Sequence, residues 1–98
     1  MLTPKQRQFL KAQAHHLKPV VHIGKAGVTE ALALELDVML ESLELIKLKL
    51  NQNTFEDLET TLEALTRKVE GLEPVWTIGR TLLVFRPSRN KPTAFPLP

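Results

Sequence analysis

Between Pro19 and Gly24 the chain has room for four residues, Val20-Val21-His22-Ile23, three of them aliphatic and β-branched. Proline lacks an amide hydrogen and clashes with the preceding helical turn, so a helix arriving from the N-terminal side must end before Pro19. Lys18 is pushed to an extended conformation. On the other side Gly24-Lys25-Ala26-Gly27 breaks the run. An apolar segment this short, bounded this way, is a buried strand rather than a helix. Its flanks on both sides read as helical, so its sheet partners must come from further along the chain.

Those flanks are well marked. Thr3 caps, Pro4 takes the first helical position and Gln6 completes a capping box. The spacing predicts a helix to His15 or His16, with Phe9, Leu10 and Ala14 inward and Lys5, Arg7 and Lys11 outward. A second helix runs from about Thr29 to Leu43 on the stripe Leu32, Leu36, Met39 and Leu43. Glu44 to Leu50 alternates, with Ile46, Leu48 and Leu50 on one side and Leu45, Lys47 and Lys49 on the other, as a half-buried strand does. Asn51-Gln52-Asn53 is a loop. Thr54 with Asp57 resembles a capping box for a third helix to about Val69, on the stripe Phe55, Leu58, Leu62, Leu65 and Val69. Glu56, Asp57, Glu59 and Glu63 suit the positive end of its dipole, and Gly71 terminates it.

Pro74 to Ile78 and Thr81 to Arg86 are strands around Gly79-Arg80, a tight hairpin whose turn type stays open. Pro87, Pro92, Pro96 and Pro98 then preclude regular structure, so residues 88–98 read as an extended, mobile, proline-rich basic tail on one domain of residues 1–87. The order α-β-α-β-α-β-β describes an α/β chain of the α+β two-layer type with a four-stranded mixed sheet. Four short strands without G-x-G-x-x-G exclude a doubly wound nucleotide-binding fold.

The net charge of +2 is less informative than its distribution. Residues 1–28 carry Lys5, Arg7, Lys11, Lys18 and Lys25 with no acid. Residues 29–73 hold all eleven acids, and residues 74–98 carry Arg80, Arg86, Arg89 and Lys91 with none. If the two basic ends meet, one face is positive and suits a polyanion; otherwise this is a mixed surface with a basic tail. With no Cys, disulfides, thiolate metal sites and Cys nucleophiles are excluded. No apolar run reaches the roughly 18 residues of a transmembrane helix, and the start lacks a signal-peptide core. The expected location is the cytoplasm.

Gly24-Lys25-Ala26-Gly27 lies between a strand and a helix. Two glycines allow a tight turn and close backbone approach, the following helix N-terminus favours a phosphate, and Lys25 adds a charge. Such G-x-x-G loops clamp the sugar–phosphate backbone in KH modules, although many plain turns also contain two glycines. Lys47 and Lys49 share a strand face and either extend a phosphate track or are simply solvated. Arg80, Arg86, Arg89 and Lys91 resemble phosphate-positioning contacts. His15, His16 and His22 have no metal-ligand spacing, and His22 is a packed or ligand-facing ring. Trp76 and Phe85 could stack on bases, but Ile78 and Leu83 beside them favour core packing. Ser42 and Ser88 lie in no nucleophile elbow, so no enzyme is expected.

Three segments carry a family resemblance. Lys18-Pro19-Val20-Val21-His22-Ile23-Gly24-Lys25-Ala26-Gly27-Val28-Thr29 is similar to the signature of the CRM domain, named for chloroplast RNA splicing and ribosome maturation. Glu44-Leu45-Ile46-Lys47-Leu48-Lys49 resembles its second strand. Ile78-Gly79-Arg80-Thr81-Leu82-Leu83-Val84-Phe85-Arg86-Pro87 resembles its closing hairpin. In size the chain is similar to stand-alone bacterial members of the YhbY type. The resemblance implies a fold like the carboxyl-terminal domain of a bacterial translation initiation factor. It also implies RNA binding through Gly24, Lys25, Ala26 and Gly27, with Lys18, Lys47, Lys49 and Arg86 at matching basic positions. Phe85 stands where the family pattern has Tyr, and Val28 where it has Leu.

The expected RNA-binding set adds His22, Lys5, Arg7, Lys11 and Arg80. The expected partner is structured ribosomal RNA of the large-subunit precursor, with which stand-alone members are associated. A basic ribosomal protein docking on the acidic second and third helices is the competing partner. No membrane, small-molecule substrate, cofactor or metal is expected.

Overall fold

The protein is described here by a computed structural model covering residues 1–52 and 57–98. The elements run α1 (Pro4–Gln13), β1 (Val21–Ile23), α2 (Glu30–Leu43), β2 (Leu45–Leu50), α3 (Leu58–Lys68), β3 (Glu73–Ile78) and β4 (Thr81–Phe85). Local chemistry explains their bounds. Thr3 Oγ1 accepts from the Gln6 amide at 3.1 Å while Gln6 Oε1 accepts from the Thr3 amide at 3.0 Å, closing the expected capping box. The last turn of α1 tightens, with the His15 amide bonded to the Ala12 carbonyl, and this stops the helix short of His15. Thr29 caps α2 through the Leu32 amide at 3.1 Å. Asp57 itself caps α3, its carboxylate accepting from the Thr60 amide at 2.8 Å. The expected cap Thr54, with Asn53, Phe55 and Glu56, lies outside the described residues.

The sheet order is β1-β2-β4-β3. β1 and β2 are parallel, as a helical crossover through α2 requires, and β4 is antiparallel to both β2 and β3. In the β3–β4 hairpin Gly79 has φ +57 and Arg80 does not have positive φ, the φ pattern of a type II′ turn. The element order and the mixed sheet match the expectation; the layering is richer. Leu82, Leu83, Val84 and Phe85 are all buried, so β4 is covered on both faces. Leu82 and Val84 join the core with Leu36 and Leu40 of α2 and Leu65 of α3. Leu83 and Phe85 join a second core with Leu2, Leu10 and Ala14. Thus α1 lies on one face and α2 with α3 on the other. Each fully buried Leu in these cores contributes about 1.5–3 kcal/mol.

The C-terminal segment packs rather than trailing away. Phe95 meets Phe85 edge-on, with ring centroids 6.2 Å apart. Its amides, which the prolines leave without a ladder, go to two carboxylates. Glu44 accepts from the Ser88 and Ala94 amides, each at 2.8 Å, and Glu41 accepts from those of Arg89 and Asn90. Glu44 was expected to open β2; instead it ends α2 at φ +66 and is buried. A positive φ at a residue other than glycine costs about 1–3 kcal/mol, and the contacts of its carboxylate and carbonyl hold it there. Burial works to raise the Glu44 pKa, but hydrogen bonds from Ala94, Thr93 and Ser88 outweigh it and bring it below its ordinary value. Hydrogen bonds from Ser88, Arg89 and Asn90, with the nearby Arg86 charge, lower Glu41 to about 2.

Candidate nucleic-acid interface

The chain leaves β1 through Gly24 and turns at once. The Gly27 amide donates to the Gly24 carbonyl at 3.0 Å, and Gly27 sits at φ +70, where a side chain would be strained. Lys25 and Ala26 are exposed at the tip. Gly24 has no such conformational need. Among the described residues, a Cβ there would meet Asn51 Nδ2 at an ordinary contact distance of 3.7 Å. At the N-terminus of α2 beside the turn, Glu30 pairs with Lys68 at 3.2 Å, and Lys68 also donates to the Val28 carbonyl.

The loop shares its end of the sheet with the β3–β4 hairpin. Arg80 Nε donates to the Leu50 carbonyl at 3.0 Å, and Nη2 donates to the Asn51 carbonyl. The Asn51 amide in turn donates to the Ile23 carbonyl at 2.8 Å. Arg80 is therefore tethered beside the turn with its side chain still at the surface.

Next to this end, one register row crosses all four strands: His22 opposite Lys49, Lys49 opposite Thr81, Thr81 opposite Ile78. Directly paired residues point to the same face, here the α1 face. His22 and Lys49 are exposed and Ile78 is 58% exposed, so α1 leaves this row uncovered. The following row is Lys47, Leu83 and Trp76, and α1 borders it. Lys47 Nζ donates to the Leu17 carbonyl at 2.8 Å. Lys11, His15, Lys47, Trp76 and Leu83 line a cleft of about 260 Å³; Arg7, Gln8, Lys11, Val75 and Trp76 line another of about 300 Å³. None of these residues is acidic. Glu73, at the far end of β3, is paired with the amino terminus at 2.9 Å.

The structure therefore brings Gly24, Lys25, Ala26, Gly27, His22, Lys49, Lys47, Lys11, Arg7 and Arg80 to one side of the molecule. Lys5 is exposed on α1 but lines neither cleft. Lys18 is exposed at the opposite end of β1 from the loop, beside an apolar cleft with Val20 and Leu43.

Arg86 departs from its expected place at the RNA surface. It is 3% exposed, its guanidinium bonded to the Asp37 carboxylate and, at 2.9 Å, to the Asp37 carbonyl. Arg89 and Lys91 likewise turn to the acidic side, donating to the Glu70 and Ser42 carbonyls. The basic C-terminal segment thus does not join the N-terminal cations in one platform.

Trp76 is the second departure. Core packing was expected, yet the indole is 38% exposed, with Lys11 Nζ 3.8 Å from its ring centroid. Phe85 is the aromatic that fills the core. Among the described residues no cluster of His, Asp or Glu could hold a metal, and no helix is long and apolar enough to cross a membrane.

The structure is that of a small α/β domain, a four-stranded mixed sheet with helices on both faces and a G-x-x-G turn at one end. Residues 2–86 match the CRS1 / YhbY (CRM) domain, and the chain belongs to that family. It is 39% identical over 97 residues to a Bacillus subtilis protein named "Probable RNA-binding protein YqeI", covering 98% of this chain and all of that one. It is also 39% identical over 95 residues to a Haemophilus influenzae protein named "RNA-binding protein", covering 97% and 95%. The solution structure of the hypothetical protein SAV1595 from Staphylococcus aureus superposes with a TM-score of 0.79 at 37% identity, each chain fully covered. The relatives are named as RNA-binding proteins rather than as enzymes.

Proposed function

We propose that this chain is a cytoplasmic RNA-binding protein that docks on structured ribosomal RNA of the large-subunit precursor and catalyses no reaction. The observation that carries this reading is the Gly24–Gly27 turn with its exposed tip, Lys25 and Ala26, next to an uncovered, acid-free row of the sheet. The Gly24–Gly27 backbone and the Lys25 ammonium grip phosphates; Arg80, Lys49, Lys11 and Arg7 extend the contact. The names of the relatives support the RNA part of the reading. Lys25→Ala, or Asp at both Lys25 and Ala26, is expected to weaken filter binding to large-subunit RNA while leaving circular dichroism unchanged. Unchanged affinity in both variants rejects the clamp. In-cell crosslinking tests the target: crosslinks spread evenly over other RNA classes reject the ribosomal assignment.

One observation favours a second surface. On α2, Leu34 and Val38 are 71% and 70% exposed, one helical turn apart, amid Glu30, Glu35 and Asp37. An acid-rimmed apolar strip complements a basic amphipathic segment, the chemistry of a basic ribosomal protein. Loss of a protein partner on reversing Glu59 and Glu63, or on Leu34→Glu, but not on Lys25→Ala, identifies that role.

A further inference from the structure

Trp76 lies on β3, an edge strand, on the face shared with α1 and with the uncovered row. A buried core indole would be enclosed by aliphatic side chains. This one is exposed, lines two clefts, and is touched on its ring face by a lysine. Two residues further along the same strand Ile78 is exposed on the same face. The row from His22 to Ile78 spans three strand spacings, about 14 Å, and leads from the G-x-x-G turn across to the Trp76 edge.

Resting on the reading of this side as an RNA surface, we propose that Trp76 is a stacking site for an unpaired RNA base, with Lys11 as its displaceable cover. A single strand leaving the Gly24–Gly27 turn crosses the His22–Lys49–Thr81–Ile78 row and stacks one base on the indole. The ammonium of Lys11 then moves from the ring to a neighbouring phosphate. Magnitudes favour the exchange. An exposed cation–π contact is the weaker interaction, and base–aromatic stacking the stronger. Lys11 also keeps its charge in use by exchanging the ring for a phosphate. A continuous duplex cannot present a base face to the ring, so the site selects junctions and loops where paired and unpaired segments meet.

Trp76 is the chain's single tryptophan and there is no tyrosine, so intrinsic emission reports on this ring. The experiment titrates the whole chain with a short unstructured oligo(A), with a blunt duplex, and with a hairpin carrying a single-stranded extension. Oligo(A) and the extended hairpin are expected to quench the emission, and the duplex to bind without quenching. By anisotropy of labelled RNA, Trp76→Ala should lose about tenfold affinity for the extended hairpin. It should lose less than about twofold for the duplex, with Trp76→Phe restoring most of the difference.

Binding of every RNA without change in emission, with Trp76→Ala at wild-type affinity, overturns the stacking site and leaves the loop clamp standing. An equal loss for duplex and extended hairpin, or a changed circular dichroism spectrum in Trp76→Ala without rescue by Trp76→Phe, also overturns it. Failure of the wild-type chain to bind any of the three RNAs overturns the RNA reading itself.

Discussion

Replacing Arg86 separates a structural cation from a phosphate contact. Its side chain is 4% exposed and holds Asp37 through two hydrogen bonds, with Glu41 at 3.8 Å. Hydrogen bonds to a charged group contribute about 1.5–3 kcal/mol each, and breaking a buried ion pair costs about 3–5 kcal/mol. The Asp37 side chain is 47% exposed, so water rehydrates it and the cost falls at the lower end. Arg86→Ala is therefore expected to destabilise the fold by about 3 kcal/mol, a drop of roughly 12–24 °C in Tm for a domain of this size. Arg86→Lys should recover less than half of it, because an ammonium cannot reproduce the fork that meets the Asp37 carboxylate and the Asp37 backbone carbonyl together. The assay is urea denaturation followed by circular dichroism, paired with RNA titrations at several salt concentrations below the transition. The salt slope of the folded variant should equal wild type. An unchanged denaturation midpoint together with a slope shallower by about one refutes the burial argument and returns Arg86 to the RNA surface.

Four further outcomes follow from the geometry. Gly24→Ala should leave stability unchanged or slightly raised, since among the described residues its Cβ meets nothing closer than 3.7 Å, yet weaken RNA binding by obstructing the backbone; Gly27→Ala, at φ +70, should instead cost about 1–2 kcal/mol in thermal denaturation. Lys49→Ala should reduce the slope of log affinity against log salt by nearly one unit at unchanged stability, read by filter binding. Glu41 titrates near 2 in the folded chain against 4.5 ordinarily, so its contribution is complete above pH 4.5 and is lost as pH falls toward 2. Protection of the Arg89 and Asn90 amides, taken relative to the intrinsic exchange rate at each pH, should fall over that window, and Glu41→Gln should remove the dependence.

The parts of this fold that local chemistry determines were legible in the sequence. Pro19 and Gly24 bound β1, Thr3 with Gln6 starts α1, and the parity of Ile46, Leu48 and Leu50 assigns the faces of β2. What stayed hidden depends on partners distant in sequence. Arg86 next to Pro87 reads as a surface cation until Asp37, 49 positions away, is placed beside it. The prolines after Arg86 do remove regular structure, but they do not prevent docking, because the carboxylates of Glu41 and Glu44 serve the amides that remain. Trp76 was misplaced for a subtler reason. A register irregularity between Pro74 and Trp76 lets Val75 reach the core with Leu83 and Phe85 while Trp76 stays at its edge.

The same long-range pairing explains how a chain of net charge +2 acquires a direction. Arg86, Arg89 and Lys91 face the acidic side of the molecule, through the Asp37 carboxylate and the carbonyls of Glu70 and Ser42. Glu41 and Glu44 hold the backbone of the same segment. The C-terminal cations are thereby taken up where the acids are concentrated, while Arg7, Lys11, Lys47 and Lys49 remain on a face whose clefts contain no carboxylate. A polyanion is attracted by one side of the sheet and repelled by the other, so charge sets the docking orientation before any contact forms. In the proposed RNA reading the C-terminal segment lies away from the binding surface, where its cations partly neutralise α2 and its backbone packs against the domain.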